Sequence, residues 1–244
     1  MDYSAIFGER AGSYIEACER WPDVRSEEIS AFMQQLELKP GEDFLDAPCG
    51  NGLVAKHVPA DCHYKGIDTA TPFVDFCRSR GLDCHQGSLR HSGLDSSSYD
   101  VIGSLAGIHH EENRFELYQE WWRLLRPGGR VVVMDVWENS LAGDFLNGFI
   151  NAWNSHGHSG YFLNDTDLCF LHEAGFKQVD TQALNYYWQS DSDAQMHSFM
   201  TALFGLDLRS CVQDMQDAWA HLGWQHADQV CRIPWSLSCI TAQK

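Results

Sequence analysis

The feature that most constrains this chain is the heptapeptide Asp46-Ala47-Pro48-Cys49-Gly50-Asn51-Gly52. It follows a short apolar run, Asp43–Ala47, that reads as a strand, and it opens a segment, 52–58, that reads as a helix. A glycine-rich turn at that junction lets a ligand approach bare backbone N–H groups at a helix N-terminus. Gly50, Gly52 and Ala55 also satisfy the G-x-G-x-x-G/A dinucleotide pattern. Taken alone, the turn therefore fits a nicotinamide enzyme, another nucleotide binder or a tight turn with no ligand.

Its surroundings narrow the choice. Short apolar runs alternate with helical patterns, as in βαβ units around a parallel sheet. Helices are expected at 10–19 and 26–37, with Pro22 between them. Strands are expected at Tyr64–Asp68, Leu82–Gln86, Tyr99–Ser104 and Arg130–Trp137, with helices at 72–80 and 112–125. The last of these helices stops at Arg126-Pro127-Gly128-Gly129, where proline and glycine cannot continue it. Val131-Val132-Val133 suits a strand buried on both faces. Further on, helices are expected at 140–155, 165–174, 193–206 and 210–222, and strands at Lys177–Trp188 and Val230–Thr241. The final strand pair reads as antiparallel, closing the sheet. The expectation is one domain over 1–244, with an N-terminal helical cover at 1–38 and cap or insertion segments at 138–164 and 190–225.

Composition excludes several classes. The net charge of −17 repels phosphate backbones and anionic lipid heads, so neither nucleic acid nor membrane is expected as a partner. No apolar stretch is long enough to span a bilayer. The start, Met1-Asp2-Tyr3, lacks the basic and apolar regions of a leader, so the chain is expected to be cytoplasmic. The nine cysteines (18, 49, 62, 77, 84, 169, 211, 231 and 239) form no CxxC pair, and free thiols are expected. A small-molecule substrate, met by a monomer or homodimer, is the expectation that remains.

Sixteen residues after Gly52, at the end of the next predicted strand, stands Asp68, placed to accept hydrogen bonds from ribose hydroxyls. One strand-end later comes Gln86-Gly87-Ser88-Leu89, where an adenine ring could lie. With these residues in register, the sequence resembles the class I S-adenosylmethionine-dependent methyltransferases that act on small molecules. Asp46 through Gly52 is similar to the family's D-x-G-x-G-x-G motif, with Pro48 in place of the first glycine. Leu124-Leu125-Arg126-Pro127-Gly128-Gly129 resembles its "LKPGG" turn, and Leu171 through Phe176 its "aGF" helix ending. Arg10-Ala11-x-x-Tyr14 is similar to the segment that folds over the methionine end of the cofactor. The acid that relatives often carry where Ser88 stands is missing. The resemblance covers residues 5–189 and makes a dehydrogenase the poorer reading.

The resemblance implies a doubly wound, mostly parallel, seven-stranded Rossmann-like sheet and S-adenosylmethionine as cofactor. It implies that Tyr14, Asp46, Ala47, Cys49, Gly50, Asn51 and Gly52 surround the amino acid moiety, with Asp68 and Thr69 at the ribose. Gly87, Ser88 and Leu89 would line the adenine, and Ser104 and Leu105 would lie at the end of the fourth strand. Methyl transfer needs an acceptor held in line and, for a neutral nucleophile, a base. His109 and His110 are the candidates for that base, or plain loop residues, and Asn139 is a polar group just beyond the fifth strand. Trp137, His156, Tyr161 and Tyr187 are candidates for the substrate, alongside His158, by position and by cation–π chemistry. No metal constellation emerges, and none is expected. The reaction expected is in-line methyl transfer to O, N or C of a secondary metabolite, releasing S-adenosylhomocysteine. The alternative is attack on the cofactor's aminocarboxypropyl carbon, as in cyclisation to azetidine-2-carboxylate, releasing methylthioadenosine. A non-catalytic cofactor-binding protein is the rival from another class.

Overall fold

The computed structural model describes residues 3–208, 212–227 and 230–244. Cys211 and the first two positions of the helix expected at 210–222 lie outside the described residues. Two helices, α1 (Tyr3–Arg20) and α2 (Ser26–Leu36), precede the first strand, β1 (Asp43–Asp46). Then follow β2 (His63–Asp68), α3 (Thr71–Ser79), β3 (Cys84–Gln86), β4 (Tyr99–Leu105), α4 (Arg114–Leu124) and β5 (Leu125–Asp135). The sheet runs β3-β2-β1-β4-β5-β8-β6, where β6 is Lys177–Ser190 and β8 is Val230–Gln243. β1 to β5 pair in parallel, and β8 lies antiparallel between β5 and β6. An eighth strand, β7 (Gln225–Ala227), adds a three-residue hairpin to the start of β8 that the sequence reading lacks.

The side-chain alternation of the strands builds two cores. Phe44, Val101, Val132 and Met134 face one layer, and Leu45, Ile102, Val131 and Val133 face the other. The first layer is α2 with a helical run of α5 (Leu141–Asp144), a π turn (Phe145–Ile150) and α6 (Asn151–Trp153). It continues with α8 (Asp193–Phe204) and α9 (Val212–Leu222). The second is α4 and α7 (Asp165–Ala174). No described helix is long and apolar enough to cross a membrane.

Differences from the expected elements have local causes. The helix expected at 52–58 is only a 3-10 turn, Val54–His57, because Gly52 has φ +71° at its start and Pro59 holds Val58 extended at its end. β5 begins at Leu125 and passes through Arg126-Pro127-Gly128-Gly129 at a register shift opposite Tyr99 and Val101. It ends at Asp135 rather than Trp137, because the Val136 N–H is taken by the Asp135 carboxylate and the Val136 carbonyl by the Leu163 N–H. The helix expected at 140–155 is interrupted by the π turn, whose wider loop presents Asn147 to the loop 154–160.

α7 is fixed at its start by an Asn164–Asp167 capping box and at its end by Gly175 in the left-handed region. Asp167 is itself buried, 3.2 Å from Arg114 and 2.8 Å from the Tyr118 hydroxyl, so it also ties α7 to α4. Removing one partner of a buried pair leaves the other charge uncompensated. Asp167→Ala is therefore expected to lower the urea midpoint by the equivalent of about 3–5 kcal/mol with an unchanged m-value. A loss below 1 kcal/mol, by the same measurement, would show that α4 and α7 hold together by apolar packing alone.

Candidate active site

The carboxyl ends of β1, β4 and β5 open onto one cleft, where open α/β sheets bind their ligands. Its first half is lined by Asp46, Cys49, Gly50 and Asn51 of the glycine turn and by Leu105 and Ala106 beyond β4. Its second half is lined by His109, His110, His158, Glu28, Trp188 and Trp235. Phe7, Tyr14, Arg25, Ala106 and His110 border both halves, so the two are one space. α1 is the cover: Phe7 lies 5.1 Å from Phe73 and 5.7 Å from His110, ring centre to ring centre. The halves hold about 60 and 80 Å³. That is room for two or three waters each, at roughly 30 Å³ a water.

The glycine turn is built for close approach. Gly50 has φ +51°, and no heavy atom lies within 4 Å of where its Cβ would stand. Gly107 answers the proline at position 48, since a Cβ there would come within 2.4 Å of Pro48 Cγ. Asp68 braces the turn from behind, accepting the Gly50 N–H and the Ala70 N–H at 2.8 Å each. It is fully buried, so its carboxylate serves the turn directly. Asp46 is buried beside it, with the Tyr64 hydroxyl donating at 3.1 Å. Burial, with the Asp68 charge adding, pushes its carboxyl well above the usual range against the pull of that hydrogen bond.

The far half is organised by Asp135, the last residue of β5, which is completely buried. Its carboxylate accepts the Val136 N–H at 2.7 Å and the His109 N–H at 3.1 Å, and Nδ1 of His109 stands 2.7 Å from Oδ1. Burial raises this carboxyl, but His109 and these donors outweigh it, and the net direction is down. An ionised carboxylate only accepts, so Nδ1 of His109 carries a proton. His110 is driven well below the usual imidazole range by burial, by the two neighbouring histidines and by Arg10. His158 is lowered to about 3 by burial, with His109 and Arg10 adding. Both are neutral imidazoles.

The floor is aromatic. Trp188 and Trp235 stack at 4.3 Å between ring centres, with Phe204 stacked on Trp188 at 6.0 Å. Glu28, fully buried, pairs with Arg25 and accepts Trp188 Nε1–H at 2.6 Å. Arg25 in turn donates to the Tyr14 hydroxyl at 2.9 Å, joining both N-terminal helices to β6.

Of the residues singled out from sequence, the structure brings Tyr14, Asp46, Cys49, Gly50, Asn51, Leu105, His109 and His110 into the cleft. Ala47, Gly52 and Asp68 lie behind the turn, and Thr69 and Ser104 end the neighbouring strands. Gly87, Ser88 and Leu89 form the turn after β3, with Ser88 Oγ accepting from the N–H groups of Arg90 and His91. Five others do not reach the cleft. Asn139, at φ +60°, turns the chain away, and its side chain lines a separate hollow with Tyr161. Tyr161 supports the site only through its main chain, donating to His109 O at 2.7 Å. Trp137 pairs with Leu163 beyond β5, and Tyr187 faces a shallow groove with Leu222 and Pro234. His156 stands apart from the cleft lining, paired with Glu9 at 3.1 Å. Sequence reasoning missed Asp135, Arg25, Glu28 and Trp235. The signals were an acid closing an apolar strand and an acid beside Ile29 on a helix's apolar face.

The residues fit S-adenosylmethionine. Thr69 Oγ1 and Ser104 Oγ are buried hydroxyls without a protein partner at the ends of β2 and β4. Asp46 is a buried carboxyl suited to an ammonium group. Comparison with known proteins agrees. Residues 45–133 match the family model described as a methyltransferase domain. The probable tRNA methyltransferase 9B of Bos taurus is 33% identical over 120 residues, 48% of this chain and 24% of that one. The chain spans about a quarter to a third of the length of the curated relatives it matches. Among solved structures, a possible histamine N-methyltransferase from Thermotoga maritima has a TM-score of 0.64 at 16% identity, covering 99% of each chain. A Haemonchus contortus phosphoethanolamine N-methyltransferase 2 in complex with S-adenosyl-L-methionine scores 0.62 at 16% identity, over 89% of this chain and 52% of that one. The chain has the fold of the class I methyltransferases, and its residues 45–133 match a methyltransferase domain.

Asp46 offers a test that needs no acceptor. A carboxyl raised in the folded state binds its proton where the unfolded chain has lost it, so stability falls as pH rises above the ordinary carboxylate pKa. Asp46→Asn removes that loss. The cofactor-free variant should melt higher than the parent at pH 7–8, by roughly 2–4 °C for each kcal/mol relieved, with the gap closing near pH 4. Calorimetry should show weaker S-adenosylmethionine binding in the same variant. A lower melting point at pH 8 would remove the assignment of Asp46 as a strained cofactor acceptor.

Proposed function

We propose that this chain transfers the methyl group of S-adenosylmethionine to an O, N or C atom of a small molecule held in the aromatic half of the cleft. The observation that carries the reading is the continuity of the glycine-turn half with His109, whose ring is set by buried Asp135. When bound, S-adenosylmethionine supplies an electrophilic methyl carbon whose bond to sulfur breaks as the acceptor's bond to it forms. The chain's part is placement, which supplies roughly 7–11 kcal/mol when reacting atoms are held at near-attack distance. Trp188 and Trp235 give the acceptor a flat apolar seat, and Nε2 of His109 takes its proton. Tyr14 and Phe7 on α1 exclude water once the helix closes.

A small acceptor is favoured over nucleic acid, although some relatives are named for tRNA. The histidines lie beneath α1 in a confined space, and the net charge of −17 repels a polynucleotide. A cytoplasmic monomer or homodimer in secondary metabolism is part of the same proposal.

The test is to incubate the protein with S-adenosylmethionine, with and without a metabolite extract, and to quantify nucleoside products. S-adenosylhomocysteine that requires the extract is the expected result. Methylthioadenosine formed from the cofactor alone would replace methyl transfer with chemistry on the aminocarboxypropyl chain. Asp135→Asn can donate where the parent accepts, turning the His109 tautomer over. It should lower turnover at least about 100-fold, as should His109→Gln. Cofactor affinity in both should stay within a few-fold. Full turnover in His109→Gln would end its role as base.

A further inference from the structure

His109, His110 and His158 each bring a ring nitrogen to within 4.8 Å of the others, although His158 comes from a distant loop. Their ring centres are 4.2 Å apart for His109 and His110, and 5.7 Å for each of these to His158. Two of the three are oriented from outside the cluster. Nδ1 of His109 is held by Asp135 at 2.7 Å, and Nδ1 of His158 stands 3.0 Å from Asn147 Oδ1. That atom also accepts the Gly160 N–H, so it is the amide oxygen, and Nδ1 of His158 is the donor. In both rings Nδ1 is therefore engaged from outside the cluster, which leaves Nε2 as the nitrogen that can ligate an ion. An imidazole whose second nitrogen donates to a carboxylate or amide is the usual support of a metal ligand.

The backbone is pinned as well. The main chain of His109 is held by Asp135 on one side and by Tyr161 N–H on the other. The loop that carries His158 is tied to the helical run behind it through Asn147 and Asn151. The π turn at Phe145–Ile150 is what sets Asn147 in reach.

We propose that His109, His110 and His158 form a binding site for a first-row divalent transition-metal ion, with an open fourth position toward the cleft. Three neutral nitrogen ligands select zinc, cobalt, nickel or copper and not magnesium or calcium, which require oxygen. Arg10 lines the same cavity and opposes the added charge, and the buried Asp135 carboxylate directly behind His109 offsets it. The consequence for turnover rests on the proposed function. An ion on Nε2 of His109 removes the lone pair that would take the acceptor's proton, so loading inhibits transfer.

The experiment is titration of chelator-stripped protein with cobalt(II) by absorption and with zinc by calorimetry, without cofactor or acceptor. One zinc per chain is expected, with weak cobalt d–d bands. His158→Ala should abolish binding, and Asn147→Ala should weaken zinc 10- to 100-fold while leaving the ligands in place. An intense sulfur-to-cobalt charge-transfer band would move the ion to Cys49, Cys77 and Cys84, which also cluster, and would overturn the proposal. So would zinc affinity unchanged in a folded His158→Ala, or no saturable binding at all. Zinc that binds as expected but leaves turnover intact would uphold the site and overturn the base role of His109.

Discussion

A single buried charge organises the working edge of this protein. Asp135 sits where β5 leaves the sheet, inaccessible to water, in a position where an isolated carboxylate would be prohibitive. Its compensation is local and complete enough to keep it ionised: two main-chain N–H groups and one imidazole. Those donors belong to different segments. Val136 continues β5, and His109 belongs to the 3-10 turn after β4. Through His109 O and Tyr161 N–H, the segment leading into α7 is bound to the same point. One acid thus sets the distance between three loops, and the cleft inherits that spacing.

The glycine turn uses the same device on a second acid. Asp68 fixes the turn after β1 to the loop after β2 through Gly50 and Ala70, and Asp46 is buried beside it. Burial, with the Asp68 charge adding, raises the Asp46 carboxyl, which is unfavourable for the protein alone and favourable for a cationic ligand. The cofactor half is therefore strained for binding, while the histidine half is relaxed by its own hydrogen bonds. Stability and function are drawn from different ends of one space.

This division explains what the sequence could reveal. Strand and helix positions were legible because apolar period and punctuation by Pro127, Gly128 and Gly175 report on local geometry. The cofactor turn was legible for the same reason: Asp46 through Gly52 is contiguous, and Asp68 ends the next strand. The helix at 52–58 failed at both ends, at Gly52 with its positive φ and at Val58 before Pro59, backbone effects that the pattern of apolar residues does not carry. The far half was only partly legible. His109 and His110 stand out as a pair, but Asp135, Glu28, Trp188 and Trp235 meet them through sheet order, which no local pattern encodes. Trp137 and Asn139 follow β5 in sequence yet turn away where the Asn139 backbone enters the left-handed region, and Tyr187, within β6, lines the groove with Leu222 and Pro234 instead. His158 lacks any local mark that separates it from His156. Only the anchoring of its loop on Asn147 does so.

The antiparallel end of the sheet gives the aromatic floor its position. β6 and β8 are 14 residues long, whereas β1 to β4 have three to seven. Their shared register puts Ala183 to Ser190 of β6 opposite Cys231 to Ser238 of β8, a stretch in which only Ser238 also pairs with β5. The overhang carries Trp188 beside the cleft, with Trp235 stacked upon it. A free two-stranded ribbon of that length would be marginal in water. Here α8 and α9 cover one face with Met196, Phe199, Met200, Leu203, Met215 and Trp219, all buried against it. The helical segment between the last long strands therefore has a structural reason to exist. It makes the overhang rigid enough to seat a ligand, and because it packs on α1 it also links that seat to the cover.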